Sequence, residues 1–139
     1  MTILSSSCSL VIPIKKEKPK QEINNIHKVK LKNLPAEGEI IRRGRGVFIK
    51  TVCNTEVYST SPGIVIYSGN DIKEYNWLVI VQREDGVMHV YGNLSEAKVS
   101  KKERIKKGTL IGFSGKDKYG TCGVIYEIRT AEGDPLIIE

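Results

Sequence analysis

Histidine and cysteine are scarce in this sequence, and neither forms a recognisable metal-binding pattern. Among 139 residues there are two histidines, His27 and His89, and three cysteines, Cys8, Cys53 and Cys122. No two cysteines have the Cys-x-x-Cys spacing that zinc knuckles and thioredoxin-type redox sites need. Both classes of site are therefore excluded on spacing, and we expect neither a metal nor a cofactor.

Long apolar runs are also missing, because no stretch approaches the roughly 18 residues that a membrane-spanning helix needs. The formal charge is +6 at pH 7, and lysines and arginines are concentrated in residues 15–32 and 98–107. Such an excess favours anionic partners: nucleic acid, lipid headgroups or acidic cell-wall polymers. No aromatic stacking platform or helix-turn-helix pattern accompanies the lysines. We therefore expect no nucleic-acid partner and interpret most of these lysines as solvating a tail and a loop.

The beginning of the chain differs in composition from the rest. Residues 1–36 carry many lysines and little periodic apolar pattern, which predicts a basic, flexible N-terminal arm before a single domain at 37–139. Within this arm, Cys8 follows Leu4 and three serines, an arrangement similar to the end of a bacterial lipoprotein signal, although the leucine stands one position too far away. A lipid anchor at Cys8 is the only membrane attachment that we expect.

From residue 40 onward, short runs rich in valine, isoleucine, threonine and tyrosine alternate with turn residues. This pattern is typical of antiparallel β structure, and no stretch shows a sustained helical period. The predicted strands are residues 46–52, 56–59, 63–68, 77–82, 87–91, 109–114 and 124–129. Turn signals separate them, among them residues 61–63, 68–71, 84–86 and 133–135. The sequence therefore predicts an all-β domain, a compact antiparallel sandwich or barrel with little helix.

The order and spacing of these runs resemble those of lysostaphin and LytM-type zinc peptidases, whose fold is a duplicated hybrid β motif. The matching segments are residues 44–51 (GRGVFIKT), 55–58 (TEVY), 61–70 (SPGIVIYSGN), 90–94 (VYGNL), 105–115 (IKKGTLIGFSG) and 123–129 (GVIYEIR). They occur in family order over about two-thirds of the chain. Such collinearity is far more specific than any one segment.

The resemblance also identifies the positions at which an active peptidase would hold its metal. In active members, two histidines and one aspartate bind Zn²⁺, and two further histidines orient and deprotonate the attacking water. The corresponding residues here are Gly44, Phe48, Asn93, Gly123 and Ile125. None of these side chains can fill its family role, since glycine, phenylalanine and isoleucine offer no lone pair and asparagine is a poor ligand and base. The resemblance therefore implies a protein that is not an enzyme, with Phe48 and Ile125 forming a dry plug.

A partner would dock in the groove that a peptidase uses for its substrate. The residues predicted to line it are Phe48, Tyr91, Asn93, Ile125 and Tyr126. Phe48 and Ile125 are interpreted either as groove floor or as core, whereas the hydroxyl groups of Tyr91 and Tyr126 favour partial exposure. A concave β surface with apolar anchors and a few polar groups is the usual makeup of a peptide-binding cleft, which is the basis of this prediction.

The matched segments also bring Cys53 and Cys122 near the Phe48 and Gly123 strands. We expect a disulfide or two buried thiols there, rather than a zinc site made with His89, which would require all three residues to converge. A lone histidine on such a strand is typically a surface or cross-strand residue. His27 lies in the predicted arm.

The resemblance is strongest to the NlpD branch of LytM-type factors, on residues 67–81, 127–129 and 134–136. Members of that branch activate peptidoglycan amidases in the cell envelope. This implies an inactive factor in the periplasm of a Gram-negative bacterium, acting on a peptidoglycan amidase or another envelope protein, or on peptidoglycan itself. Two alternatives are kept: a zinc-dependent endopeptidase with non-standard ligands, and a lipoyl or biotinyl carrier that uses a lysine of the segment Lys116, Asp117 and Lys118.

Overall fold

The computed structural model describes residues 28–29, 33–43 and 46–138. Cys8, His27 and Gly44 lie outside the described residues, so the predictions that concern them stay predictions. Among the described residues, no helix has the length and apolar character needed to cross a membrane. The division into an arm at 1–36 and a domain at 37–139 also stays a prediction, although Leu34 and Ala36 already pack against the core.

The described chain is almost entirely antiparallel β structure, as the sequence predicted. Its strands are β1 (Lys28–Val29), β2 (Glu39–Arg43), β3 (Gly46–Lys50), β4 (Glu56–Tyr58), β5 (Gly63–Ile72), β6 (Asn76–Gln82), β7 (Met88–Ala97), β8 (Arg104–Ile105), β9 (Leu110–Lys116), β10 (Cys122–Arg129) and β11 (Ile137–Ile138). Among the described residues, the one helical element is a single 3₁₀ turn at Lys73–Tyr75. β-Branched residues dominate these strands because their side chains pack well on a pleated surface.

Strand β10 pairs with three other strands of the main sheet. It runs antiparallel to β3 along one edge, and to β7 and β9 along the other. Beyond β3 lies β2, while β6, β5 and β8 follow β7 in that order, and β4 joins β9. A separate parallel pair is formed by β1 and β11. The site described below is built on β3, β10 and β7.

The main core lies on one face of these three strands. Val47, Ile49, Val124, Tyr91 and Tyr126 are all buried in it. Because successive side chains of a strand point to opposite faces, the residues between them point to the other face of the sheet. Phe48, Gly123 and Ile125, three of the five positions that the family resemblance assigns to the metal site, lie on that second face.

Strand β5 is longer than the sequence predicted. The segment 68–71, which has turn composition, continues the strand to Ile72, and the chain reverses only at Lys73–Tyr75. Asn76 closes this reversal with a φ of 55° and a ψ of −127°, a backbone conformation that glycine adopts far more readily than other residues. Cross-strand pairing with β6 therefore overrides the local turn signal, and the extension brings Tyr75 over the second face of the sheet.

Candidate functional site

Three adjacent strands present the candidate site, which we call the groove face. Phe48 of β3 and Ile125 of β10 are direct cross-strand partners, and Ile125 is also paired with Gly92 of β7. Paired residues share a face, and residues two positions apart on a strand do the same. The groove face therefore contains Gly46, Phe48, Gly92, Gly123, Ile125 and Glu127.

The ring of Phe48 fills the space above Gly123. A Cβ atom added at Gly123 would lie 2.5 Å from Cε2 of Phe48, so the ring rests directly on the glycine backbone. Phe48 is 1% exposed although its side chain lies outside the main core cluster. An aromatic ring therefore occupies the space above Gly123, the position that the resemblance assigns to the first histidine of the family's last pair. Burial of such a ring typically contributes about 1.5–3 kcal/mol.

A charged cluster closes the same face further along β10. Glu127 packs over Gly46, since a Cβ atom there would lie 2.7 Å from Cγ of Glu127. One oxygen of this buried carboxylate, Oε1, accepts hydrogen bonds from Nε and Nη2 of Arg129 at 3.0 and 2.8 Å. The other, Oε2, accepts a hydrogen bond from the hydroxyl of Tyr75 at 3.0 Å. Both carboxylate oxygens are thus engaged, which compensates the cost of burying the charge.

Tyr75 covers the third glycine of the groove face. A Cβ atom at Gly92 would lie 2.6 Å from Cδ1 of the tyrosine ring. Burial, and then the nearby carboxylate of Glu127, raises the pKa of Tyr75, so its hydroxyl stays protonated and continues to donate. Glu127, Arg129 and Tyr75 were not predicted as site residues. The spacing of Glu127 and Arg129, two positions apart on β10, could have indicated that they share a face. The position of Tyr75 could not be found in this way, because it depends on the lengthened β5.

Asn93, which stands at a histidine position of the family, is a structural residue here. It is 2% exposed and has a φ of 60°. Its Nδ2 donates to the carbonyls of Gly115 and Gly123 at 3.1 and 2.8 Å, and its Oδ1 accepts from Nδ2 of Asn76 at 2.5 Å. Both ends of the amide are therefore committed to holding β7, β9 and β10 together.

The partial exposure expected for Tyr91 and Tyr126 is wrong. They are 0% and 3% exposed and lie on the core face, opposite Phe48 and Ile125, because strand side chains alternate. Their hydroxyls bond internally: Oγ1 of Thr60 lies 3.0 Å from the Tyr91 hydroxyl and 2.8 Å from the Tyr126 hydroxyl. Of the five residues predicted to line the groove, only Ile125 is more than marginally exposed. A partner-binding role for the set stays a proposal.

His89 joins this interior network as a buried cross-strand residue rather than a surface one. Its Nδ1 lies 3.0 Å from the hydroxyl of Tyr126 and 3.2 Å from Oγ1 of Thr60, and the side chain is 5% exposed. Nε2 is buried without a hydrogen-bond partner. Burial, followed by the charge of Arg83, lowers the pKa of His89 to about 4, with Asp85 acting in the opposite direction.

The titration of His89 predicts that the protein loses stability in mild acid. The imidazole titrates near 6.5 when unfolded and near 4 when folded, so the unfolded chain takes up the proton first. The contribution of His89 to the free energy of unfolding is therefore fully present above pH 6.5. The free energy of unfolding falls by about 3 kcal/mol as the pH drops towards 4, and protonation of His89 lowers it no further below that pH. Urea unfolding at a series of pH values measures this slope.

The matched variant for that measurement is His89→Asn, whose Oδ1 can replace Nδ1 as acceptor for the Tyr126 hydroxyl. We expect the slope between pH 6.5 and 4 to flatten in this variant, because the group whose pKa burial lowers is no longer present. An unchanged slope in His89→Asn would contradict the assignment.

The two cysteines of the domain form a disulfide, one of the two outcomes predicted for them. Cys53 and Cys122 are bonded, with their Cα atoms 5.1 Å apart. The zinc site considered for Cys53, Cys122 and His89 is therefore not formed, because the two sulfurs are joined to each other. Within the described residues, no group of three or more histidine, cysteine, aspartate or glutamate side chains is placed to hold a metal ion.

Two exposed apolar side chains stand at the disulfide end of the groove face. Val52 and Tyr119 are 83% and 75% exposed, and we call them the rim. Tyr119 lies at the tip of the β9–β10 hairpin, where Oδ1 of Asp117 accepts backbone hydrogen bonds from Tyr119 and Thr121 at 2.9 Å each. Val52 is held near the start of β10 by the disulfide at the next residue. The rim is therefore prominent but fixed in position.

The same hairpin contains the lysines considered for a carrier function. Lys116 is the last residue of β9 and pairs with Cys122, whereas Lys118 lies in the turn beside Tyr119, with Nζ 5.3 Å from the ring centroid.

Comparisons with known proteins agree with the resemblance seen in the sequence. The cell division protein DipM of Caulobacter vibrioides is 30% identical over 90 residues, which cover 58% of this chain and 15% of DipM. The murein hydrolase activator NlpD of Escherichia coli is 24% identical over 102 residues, covering 68% of this chain and 27% of NlpD. The chain therefore spans less than a third of either relative.

A similar fold occurs in the SpoIIQ–SpoIIIAH pore-forming complex. One chain of that structure superposes with a TM-score of 0.61 and 25% identity, covering 70% of this chain and 66% of that chain. The sequence profile of peptidase family M23 matches residues 42–136, which include β3, β7 and β10 and most of the described domain. This chain belongs to peptidase family M23.

Proposed function

We propose that this protein is a non-catalytic M23 factor of the cell envelope that acts by binding another protein. The observation that carries the proposal is the ring of Phe48 seated on Gly123, in the region where a peptidase would hold its metal. Hydrocarbon fills the place that electron-pair donors would need.

The remaining polar groups of the groove face do not supply a replacement for the metal site. A zinc hydrolase needs three ligands with lone pairs and an open position for water. Among the described residues of this face, Glu127 is the buried carboxylate, and its two oxygens are engaged by Arg129 and Tyr75. A single carboxylate whose charge is already balanced by Arg129 does not supply the three ligands that a zinc hydrolase needs.

The relatives support a binding role in the envelope. One is called a murein hydrolase activator, another a cell division protein, and a third belongs to a two-protein complex. The Cys53–Cys122 disulfide fits an oxidising compartment such as the periplasm. We therefore propose that this chain activates or scaffolds a peptidoglycan amidase during cell-wall remodelling and division, with attachment through Cys8 as a further hypothesis.

The docking surface that we propose extends from the half-buried Ile125 to the rim. Aromatic side chains at the centre of an interface contribute most of the binding energy in many complexes. Tyr119 and Val52 are the large apolar side chains that this end of the molecule exposes. Phe48 forms the floor of this surface, and Tyr91, Asn93 and Tyr126 support it from within the fold.

A dye-release assay tests the proposal. The full chain is incubated with a peptidoglycan amidase of the same organism and dye-labelled cell-wall sacculi, and release is compared with that by each protein alone. We expect release to rise only in the mixture. Release by this chain alone in the presence of zinc would instead support a zinc endopeptidase, and a mixture no better than the amidase alone would refute amidase activation.

Tyr119→Ala is expected to weaken the interaction with the amidase by about tenfold or more, as for other exposed aromatic anchors. Because the side chain is 75% exposed, thermal stability should not change. Titration of amidase stimulation against the concentration of each variant measures the effect.

Tyr58→Ala is the matched control for this measurement, since Tyr58 is 39% exposed on β4 and lies outside the proposed docking surface. Equal stimulation by the wild type and Tyr119→Ala would show that the rim takes no part in the proposed interface.

A further inference from the structure

Positive charge is concentrated in one short segment of the domain. Residues 98–107 carry six lysine or arginine side chains and one acidic side chain, Glu103. We call this segment the basic ridge. Its basic residues are Lys98, Lys101, Lys102, Arg104, Lys106 and Lys107, and all six are exposed.

The ridge is anchored to the domain rather than being a free loop. Val99 and Ile105 are each 5% exposed and belong to the main core. The backbone N–H of Lys102 donates to the carbonyl of Val65 at 2.7 Å, and Val65 donates back to the carbonyl of Glu103 at 2.8 Å. The cations therefore have fixed backbone positions, which lowers the entropy lost when a partner binds them.

Lys102 occupies a backbone conformation that does not favour lysine. Its φ is 81°, in the left-handed region where glycine and asparagine are the usual residues. A lysine at this position therefore has a strained backbone. The neighbouring hydrogen bonds hold it in that conformation. An outlier of this kind is a reason to look for a role of the side chain outside folding.

Most of the charge on the ridge is available to a partner. The carboxylate of Glu103 accepts a hydrogen bond from the backbone N–H of Ser100 at 2.9 Å, and Lys98 is paired with Glu96 at 2.7 Å. The other five basic side chains of the ridge form no ion pair with any described residue. Their mutual proximity produces a positive potential over this part of the surface.

Apolar side chains adjoin the cations. Ile64 of β5 is the direct cross-strand partner of Arg104 and is 37% exposed. Pro62 is also exposed, and with Arg104 and Lys106 it lines an open cavity of about 610 Å³. Arg83, Glu84 and Asp85 line the same cavity, and Asp85 is paired with Arg83. The surface therefore combines fixed cations with hydrocarbon that is accessible to a partner.

We propose that the basic ridge and Ile64 together dock on an anionic phospholipid surface. Basic residues near an anionic bilayer each contribute attraction, and a neighbouring apolar side chain can enter the interfacial region. Nucleic acid fits less well, because single strands need aromatic side chains for base stacking and the ridge has none. This contact does not depend on the proposed amidase partner or on acylation of Cys8.

Vesicle co-sedimentation of the full, unacylated chain tests the ridge. Binding to vesicles of phosphatidylglycerol and phosphatidylcholine is compared with binding to pure phosphatidylcholine. The ridge variant carries Lys101→Gln, Lys102→Gln, Arg104→Gln and Lys106→Gln. Since each cation near an anionic surface contributes about a fivefold change in affinity, we expect the four replacements together to weaken binding to the anionic vesicles by about a hundredfold or more.

A control variant with the same change in net charge separates the ridge from the overall charge of the protein. In this control, four exposed lysines outside the ridge are replaced by glutamine: Lys50→Gln, Lys73→Gln, Lys116→Gln and Lys118→Gln. We expect it to bind nearly as the wild type does. Equal weakening in both variants would overturn the proposal, as would tighter binding to a DNA duplex that is lost in the ridge variant.

Two single substitutions test the local features. Ile64→Thr should weaken vesicle binding more than Ile72→Thr, a residue of the same strand that is 38% exposed and distant from the ridge.

Lys102→Gly should raise the midpoint of thermal unfolding by about 2–6 °C, because glycine adopts a φ of 81° without strain, yet weaken vesicle binding. Unchanged vesicle binding in Lys102→Gly and equal effects of the two isoleucine substitutions would each count against the proposal.

Discussion

Replacement of both domain cysteines, Cys53→Ser with Cys122→Ser, is expected to lower the free energy of unfolding by about 4 kcal/mol. The disulfide joins residues 69 positions apart, and a crosslink closing a loop of this length removes much conformational entropy from the unfolded chain. It also fixes the chain after β3 to the start of β10, beside Gly123. Chemical denaturation followed by the fluorescence of Trp77 measures the change.

Cys8→Ser is the matched control, because Cys8 takes no part in this disulfide. We expect it to unfold as the wild type does, and reduction of the wild type with a thiol should reproduce the double variant. A loss of less than about 1 kcal/mol in the double variant would show that the crosslink contributes little to the fold.

Phe48→Ala is expected to destabilise the protein by about 3–5 kcal/mol, the usual cost of removing a fully buried phenylalanine. The ring is 1% exposed and fills the space above Gly123. The other phenylalanine of the sequence, Phe113, is only half-buried, so Phe113→Ala should cost clearly less. Equal losses in the two variants, measured by chemical denaturation, would contradict the role given to Phe48.

A double-mutant cycle examines the contact of Phe48 with Gly123 directly. Gly123→Ala alone should be destabilising, because the new Cβ atom would lie 2.5 Å both from Cε2 of Phe48 and from the carbonyl oxygen of Ile49. Combining it with Phe48→Ala relieves the first clash but not the second. We therefore expect the double variant to lose less stability than the two single losses added together.

Much of the fold could be predicted from the sequence because the strands are short, β-branched and separated by strong turn signals. The predicted segments 77–82 and 124–129 lie within β6 and β10. The segment 68–71 could not be predicted correctly, since its composition favours a turn while its pairing with β6 continues the strand. Long-range pairing of this kind leaves little trace in local composition.

The candidate site was predicted in part. Collinearity with the family placed Phe48 and Ile125 at the metal position, and the structure makes them cross-strand partners. Tyr91 and Tyr126 were expected to be partly exposed because of their hydroxyl groups, but strand alternation turns them to the core. Tyr75 was missed because its role depends on where a loop lies over β7, which no motif of the sequence specifies.

The central claim is that hydrocarbon occupies the place of the metal, and zinc binding tests it most directly. The tag-free full chain is equilibrated with excess zinc, dialysed against metal-free buffer and analysed for bound metal by mass spectrometry. We predict no zinc above the level of the dialysis buffer, for the wild type and for the variant Phe48→Ala alike. One zinc ion retained per wild-type chain would contradict the claim, because three side-chain ligands would then have to converge where Phe48 rests on Gly123.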